Sequence, residues 1–292
     1  MASRVNGAED WFTVPVSSRI SKLLRPNPPD EDLVSATFDT KASSPARESY
    51  LLLSTPRTGS TLLTELLAKN HLGLPHEYFH ESEYLQTLSK RWGAWSRGRI
   101  HKRRYMEKLA EARTGPTGLL GIGLHGRHIP IFREFEPHLQ PPVQKIFILR
   151  RRNLAAQLVS YAKSLASGSW SSHWRGRPEH EVGLAEMGAA LRSLLIQFQI
   201  VDRFVSQRNV DVDEIYYEDL VSEPARILDR FANFSPSGHT WNLETSMKRQ
   251  ASLVALDFDS VLERELKQAQ KALALDWLRR KILRLLPPAQ RD

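Results

Sequence analysis

The sequence predicts an α/β fold of three layers, with a central, mainly parallel sheet flanked by helices. Two observations predict it. From residue 48 onward strand patterns alternate with helical ones, the order expected of successive β-α units. Two of the strand patterns also end in residues suited to anions, as the carboxyl edge of a parallel sheet does.

The first strand, near 50 to 54, is carried by the apolar run Tyr50-Leu51-Leu52-Leu53. It feeds Ser54-Thr55-Pro56-Arg57-Thr58-Gly59-Ser60-Thr61, and a helical pattern begins at 61 with Leu62, Leu63, Leu66 and Leu67. A tight loop with one glycine before a helix directs unpaired N–H groups and a positive dipole end at its occupant, so phosphate or sulfate is the expected guest. The arrangement is P-loop-like but not a Walker A motif. Ser60-Thr61 follow Gly59 without the Lys, and the first Gly of that pattern is absent. Arg57 supplies the cation instead.

A strand near 118 to 124 comes next, then a strand over Val143 to Leu149 that runs straight into Arg150-Arg151-Arg152-Asn153. Leu154, Gln157, Leu158 and Tyr161 fall at helical spacing from 153, which puts Ser160 two turns into a helix whose start carries Arg152. An arginine fork plus a hydroxyl suits a second phosphate. Two anion sites at strand ends are what a nucleotide with phosphates at both ends requires. The last strand runs over Asp213 to Tyr217.

Composition bounds the remainder. A chain of 292 residues, 41% hydrophobic and 25% charged, accommodates one full-size domain with appendages. Residues 1–47 read as a polar N-terminal extension with one short helix around Ile20, Leu23 and Leu24, and 48–252 as the α/β domain. Residues 253–292 read as a helical extension, whose apolar stripe from Leu262 to Leu286 packs on the core or on a partner subunit. The absence of cysteine excludes disulfides, thiolate nucleophiles and cysteine zinc sites. No apolar stretch reads as approaching the ~20 residues of a membrane span, and no signal-peptide core is seen, so a soluble, cytoplasmic chain without stable membrane insertion is expected. The net charge of +8 and the basic runs Arg97 to Arg104 and Arg279 to Lys281 raise nucleic acid as a partner. Neither run carries interleaved aromatics, and solvated basic helix faces are the expectation instead.

His76-Glu77-Tyr78-Phe79-His80 fits the H-E-x-x-H pattern of zinc hydrolases, which needs both imidazoles one turn apart on an established helix. Gly73 and Pro75 place His76 at a loop or at a first helical turn, and no third ligand is evident, so no metal is expected.

Loop and spacing together resemble the sulfotransferases that use 3′-phosphoadenosine 5′-phosphosulfate (PAPS). Within them the chain is most similar to the Stf0 branch, related to trehalose 2-sulfotransferase. The resemblance spans roughly residues 48 to 252: Pro56 to Thr61, Pro75-His76-Glu77-Tyr78-Phe79, Arg151-Arg152-Asn153 with Gln157 and Ser160, Gly168-Ser169-Trp170, Tyr217-Glu218-Asp219 and Lys248-Arg249-Gln250. Thr58 stands in the place of the branch's usual Ser, Asn153 and Ser252 in the places of Asp, and Gly123 where Lys is common.

The resemblance implies a donor, PAPS, a product, adenosine 3′,5′-bisphosphate, and no metal. Pro56, Arg57, Thr58, Gly59, Ser60 and Thr61 would hold the 5′-phosphosulfate, with Arg57 also stabilising charge on the bridging oxygen. Arg152 and Ser160 would hold the 3′-phosphate; Lys248 and Arg249 would close over it or form a solvated basic pair. Trp170 would stack on adenine, line the acceptor channel or simply pack, and Tyr217 would end a strand and brace the nucleotide side. Glu77 matches the branch's general base, the alternative being a carboxylate that complements a helix dipole. His125 and His128 are the rival base by resemblance to the cytosolic and Golgi sulfotransferases, or else core-edge residues. The acceptor implied is a small-molecule hydroxyl, on a carbohydrate or glycolipid, and the chain a possible homodimer that binds no nucleic acid. The competing readings are a P-loop-like phosphotransferase and a non-catalytic nucleotide or nucleic-acid binding protein.

Overall fold

The computed structural model describes residues 10–15, 34–40, 45–168, 182–231, 240–246, 264, 267 and 268. The chain divides into two compact units, one of residues 1–152 and 195–248, the other of 153–194 and 249–292.

The first unit is built on a four-stranded parallel sheet of order β5-β2-β6-β7: β2 (Glu48–Ser54), β5 (Leu119–His125), β6 (Val143–Arg150) and β7 (Asp211–Tyr216). β2 and β6 lie inside, so both their faces must be covered, and their side chains alternate between two apolar cores. Leu51, Leu53, Ile146 and Ile148 face one core, with Met106 and Leu109 of a helix at Lys102–Arg113 and Phe132 and Phe135 of a helix at Ile129–Phe135. Tyr50, Leu52, Phe147 and Leu149 face the other, with Leu63, Leu66 and Leu67 of the first helix, α1 (Ser60–Lys69). The expected three-layer α/β architecture with a parallel sheet is the one observed.

Between β2 and β5 lie α2 (Gln86–Arg91), β3 (Trp95–Ser96), β4 (Arg99–His101) and α3 (Lys102–Arg113); α4 is the Ile129–Phe135 helix. The N-terminal lead contains a strand, β1 (Trp11–Thr13), which pairs antiparallel with β4 in a second sheet of order β1-β4-β3. Strands of two or three residues are too short to display a period, which is why the sequence reads Trp11–Thr13 as part of an extension and Arg97 to Arg104 as a solvated basic helix face. The short helix expected around Ile20 lies outside the described residues, as does the C-terminal stripe apart from helical residues at 264, 267 and 268. Arg113, fully buried, ties residues 34–40 down: its guanidinium is 3.1 Å from Asp39, which Arg91 also binds at 2.6 Å.

In the second unit, α5 (Leu154–Ser167) starts at Asn153, whose side chain accepts from Ala156 N–H, and ends at Gly168 in a left-handed conformation. α6 (Leu184–Ser206) corrects one expectation: at 23 residues it is long and apolar enough to cross a bilayer by length and composition. Met187, Leu191, Leu194, Val201 and Phe204 are buried along it at helical spacing, the stripe of a helix packed within protein. Charged residues such as Glu186, Asp202 and Arg203 interrupt the apolar pattern, so no single run stands out in the sequence. Two short helices, α7 (Tyr217–Ser222) and α8 (Pro224–Asp229), follow β7 in the first unit.

Candidate active site

The site is assembled at the carboxyl ends of β2 and β5. Parallel register pairs Ser54, the last residue of β2, with His125, the last residue of β5, so the loop after one strand and the turn after the other are neighbours.

The loop after β2 holds its shape through three local devices. Arg57 has φ +68°, a left-handed conformation that a non-glycine residue adopts only when its surroundings impose it. Thr58 is buried and its hydroxyl donates to the Thr55 carbonyl at 2.9 Å. Gly59, with φ +89°, caps α1, and a Cβ there would lie 2.5 Å from the Tyr217 ring. Pro56 is buried in the loop, and Ser60 and Thr61 open α1, where the first-turn N–H groups have no intrahelical partner. Burial first, and then the charge of Arg151, lower the pKa of the Arg57 guanidinium.

Glu77 reaches this edge because its segment joins the free side of β5. His76 bridges Ile122, and the Gly123 N–H donates to the His76 carbonyl at 3.0 Å. A Cβ at Gly123 would lie 2.6 Å from the Pro75 carbonyl oxygen, so this strand position must be glycine for the segment to lie flat on it. Gly123, which the sequence offers only as a departure from the family's Lys, therefore positions Glu77. Residues 76–80 form no helix, which removes both the H-E-x-x-H geometry and the helix-dipole reading of Glu77.

Around Glu77 stand His125 (Nδ1 to Oε2, 3.5 Å), His128 (Nε2 to Oε2, 3.7 Å) and Arg127 (4.0 Å). The rings of His125 and His128 stack at 5.3 Å. Burial raises the Glu77 carboxyl above its usual pKa, against the opposing charge of Arg127. Burial also pushes His125 down to about 3 and His128 well below its ordinary value, with Arg127 adding to both shifts. Both imidazoles are therefore neutral, and both ring nitrogens of His125 are buried without a hydrogen-bond partner.

Glu77, His125 and His128 have the donor types and closeness of a divalent-metal site, with ligand atoms within 4.8 Å of one another. The surroundings do not fit one. His128 Nδ1 faces the His125 backbone N–H at 3.2 Å and Nε2 faces the Arg127 Nε–H donor at 3.1 Å, so both ring nitrogens already meet donors, and the Arg127 guanidinium sets a fixed cation beside the nitrogen that an ion would need.

Of the remaining expected residues, Arg152 is exposed and forms a bidentate pair with Asp219 at 2.6 and 2.8 Å. Ser160 lies on α5 of the second unit. Tyr217 begins α7 instead of ending a strand, because β7 stops at Tyr216. Trp170, Lys248 and Arg249 lie outside the described residues. Arg151, to which the sequence assigns no role, donates to the Arg57 carbonyl at 3.1 Å.

Similar solved structures include the sulfotransferase domain from the Synechococcus PCC 7002 olefin synthase, at 15% identity and TM-score 0.45, covering 79% of this chain and 98% of that one. The sulfotransferase domain from the curacin biosynthetic pathway has 17% identity and TM-score 0.36, covering 65% and 74%. Sulfotransferase STF9 from Mycobacterium avium has 14% identity and TM-score 0.39, covering 66% and 64%. No curated protein matches the chain. The family model of the Stf0 sulphotransferases matches residues 49–251, the stretch that contains the loop, the Glu77 cluster and the arginine row, and the chain belongs to that family of sulfotransferases.

Proposed function

We propose that the protein transfers a sulfuryl group from PAPS to a hydroxyl of a small-molecule acceptor, a carbohydrate or glycolipid, in one in-line step. One observation carries the reading. The Ser54–His125 register sets a part-buried carboxylate with two neutral imidazoles beside an anion loop that has its own arginine.

The acceptor oxygen forms a bond to sulfur as the sulfur–oxygen bond to the 5′-phosphate breaks; the hydroxyl proton passes to Glu77, and adenosine 3′,5′-bisphosphate leaves. Arg57 and the first-turn N–H groups of α1 hold the phosphosulfate and stabilise charge on the departing oxygen. A carboxyl whose pKa burial has raised is a better proton acceptor than an exposed one, whereas imidazoles held far below their usual pKa are poor bases at neutral pH. This favours Glu77 as the base. His125, whose ring nitrogens are buried without a hydrogen-bond partner, would hydrogen-bond the acceptor hydroxyl. The 3′-phosphate is assigned to Arg152, which would exchange Asp219 for it.

Calorimetry of adenosine 3′,5′-bisphosphate beside adenosine 5′-monophosphate and Mg²⁺-ATP tests the donor. Preference for the bisphosphate is expected; preference for Mg²⁺-ATP would point to phosphoryl transfer instead. Radiolabelled sulfate transfer from PAPS to a panel of sugars and glycolipids tests the acceptor class.

A further inference from the structure

We propose that Arg151 is the second guanidinium of the anion loop and binds the 5′ end of the sulfuryl donor beside Arg57; the inference rests on the PAPS reading above. Arg150 ends β6, Arg151 and Arg152 follow it directly, and the partners of the three differ. Arg150 is paired with Asp202 at 2.8 Å and Glu214 at 3.0 Å. Arg152 is paired with Asp219, and its backbone N–H donates to Glu218 at 3.0 Å. Between them, Arg151 has no carboxylate partner among the described residues, and its Nε is buried without a hydrogen bond.

Arg151 is the first residue beyond β6 and lies against the loop that follows β2. Its guanidinium lies 4.7 Å over the Tyr217 ring and donates to the Arg57 carbonyl. The same Tyr217 ring fills the space where a side chain at 59 would be. Arg151 thus meets the loop directly at the Arg57 carbonyl and, through the Tyr217 ring, at Gly59, the loop's two positive-φ residues.

Arg57 and Arg151 carry like charges side by side; burial first, and the charge of Arg151 second, lower the pKa of the Arg57 guanidinium. Like charges held together at a part-buried site are relieved by an anion that touches both. A guanidinium stacked on an aromatic face keeps its N–H edge available, and that edge matches the paired oxygens of a phosphate or sulfate group.

Two ligands separate the ends of the donor: adenosine 3′,5′-bisphosphate and adenosine 3′-monophosphate, which lacks the 5′ group. Calorimetry on the full chain is expected to show wild-type preference for the bisphosphate. Arg151→Gln retains a donor for the Arg57 carbonyl but no charge. It should weaken the bisphosphate roughly 10- to 100-fold, the range of one charged hydrogen bond, and leave the monophosphate within about twofold. Arg151→Lys should restore part of the preference, and Arg152→Ala should leave the ratio of the two affinities unchanged. An Arg151→Gln chain that keeps the wild-type preference, or loses both ligands equally, overturns the assignment while leaving PAPS in place. A wild type that binds neither ligand overturns the PAPS reading and this inference with it.

Discussion

Glu77 and His125 meet at 3.5 Å although 48 residues separate them in the chain (125 − 77), because the Glu77 segment lies on the free edge of the strand that His125 ends. The contact sets a carboxylate of raised pKa against an imidazole of lowered pKa, so the pair is poised with one proton acceptor and one neutral hydrogen-bonding ring.

Glu77→Gln should reduce kcat by about 10²- to 10⁴-fold, the usual contribution of a general base, with little change in affinity for adenosine 3′,5′-bisphosphate. In the wild type, kcat/KM should fall as pH drops through a pKa above the usual carboxylate value, since the base works only when ionised. Arg127→Gln removes the charge that opposes this rise and should move the acidic limb to higher pH. A limb that does not respond to Arg127 would place the titrating group elsewhere.

The buried histidines tie stability to pH. Because the folded pKa of His125 is about 3 against an ordinary 6.5, the unfolded chain binds more protons between those values. The stability is present above about pH 6.5 and is lost as pH falls toward 3, at up to ~1.4 kcal/mol per pH unit for one such group. Melting temperatures of wild type and His125→Gln across this window should converge on acidification, because the variant lacks that proton debt.

Gly59→Ala should both destabilise and disarm the loop. Left-handed backbone costs an alanine roughly 1–2 kcal/mol, and the new Cβ also meets the Tyr217 ring at 2.5 Å. Thermal unfolding should register the strain, and bisphosphate affinity the displaced loop. Tyr217→Ala in the same chain should recover part of the stability but not the binding, since it also removes the platform under Arg151.

Arg113 and Asp39 are not equivalent halves of their pair. Arg113→Leu leaves Asp39 with Arg91, whereas Asp39→Ala leaves a fully buried guanidinium without its counter-charge. Urea denaturation should show Asp39→Ala as the costlier change, by on the order of 1–3 kcal/mol. Equal losses would mean that Arg113 contributes mainly through packing.

The sequence by itself determined the parts whose signals are local. Apolar runs of strand length at 50–54 and 143–149, the loop from Pro56 to Thr61 and the helix beyond it are all legible because backbone propensity, glycine and helix period act over a few residues. Glu77, His125 and His128 were visible as candidates by resemblance, and none of their mutual distances was. Tertiary structure alone decided the order β5-β2-β6-β7, which sets Ser54 beside His125, and the need for glycine at 123, where another segment crosses the strand. It also decided the division of labour among Arg150, Arg151 and Arg152, three identical residues in sequence, and the recruitment of Trp11–Thr13 into a sheet. Strand order and side-chain partners depend on contacts between residues far apart in the chain, and no local period encodes them.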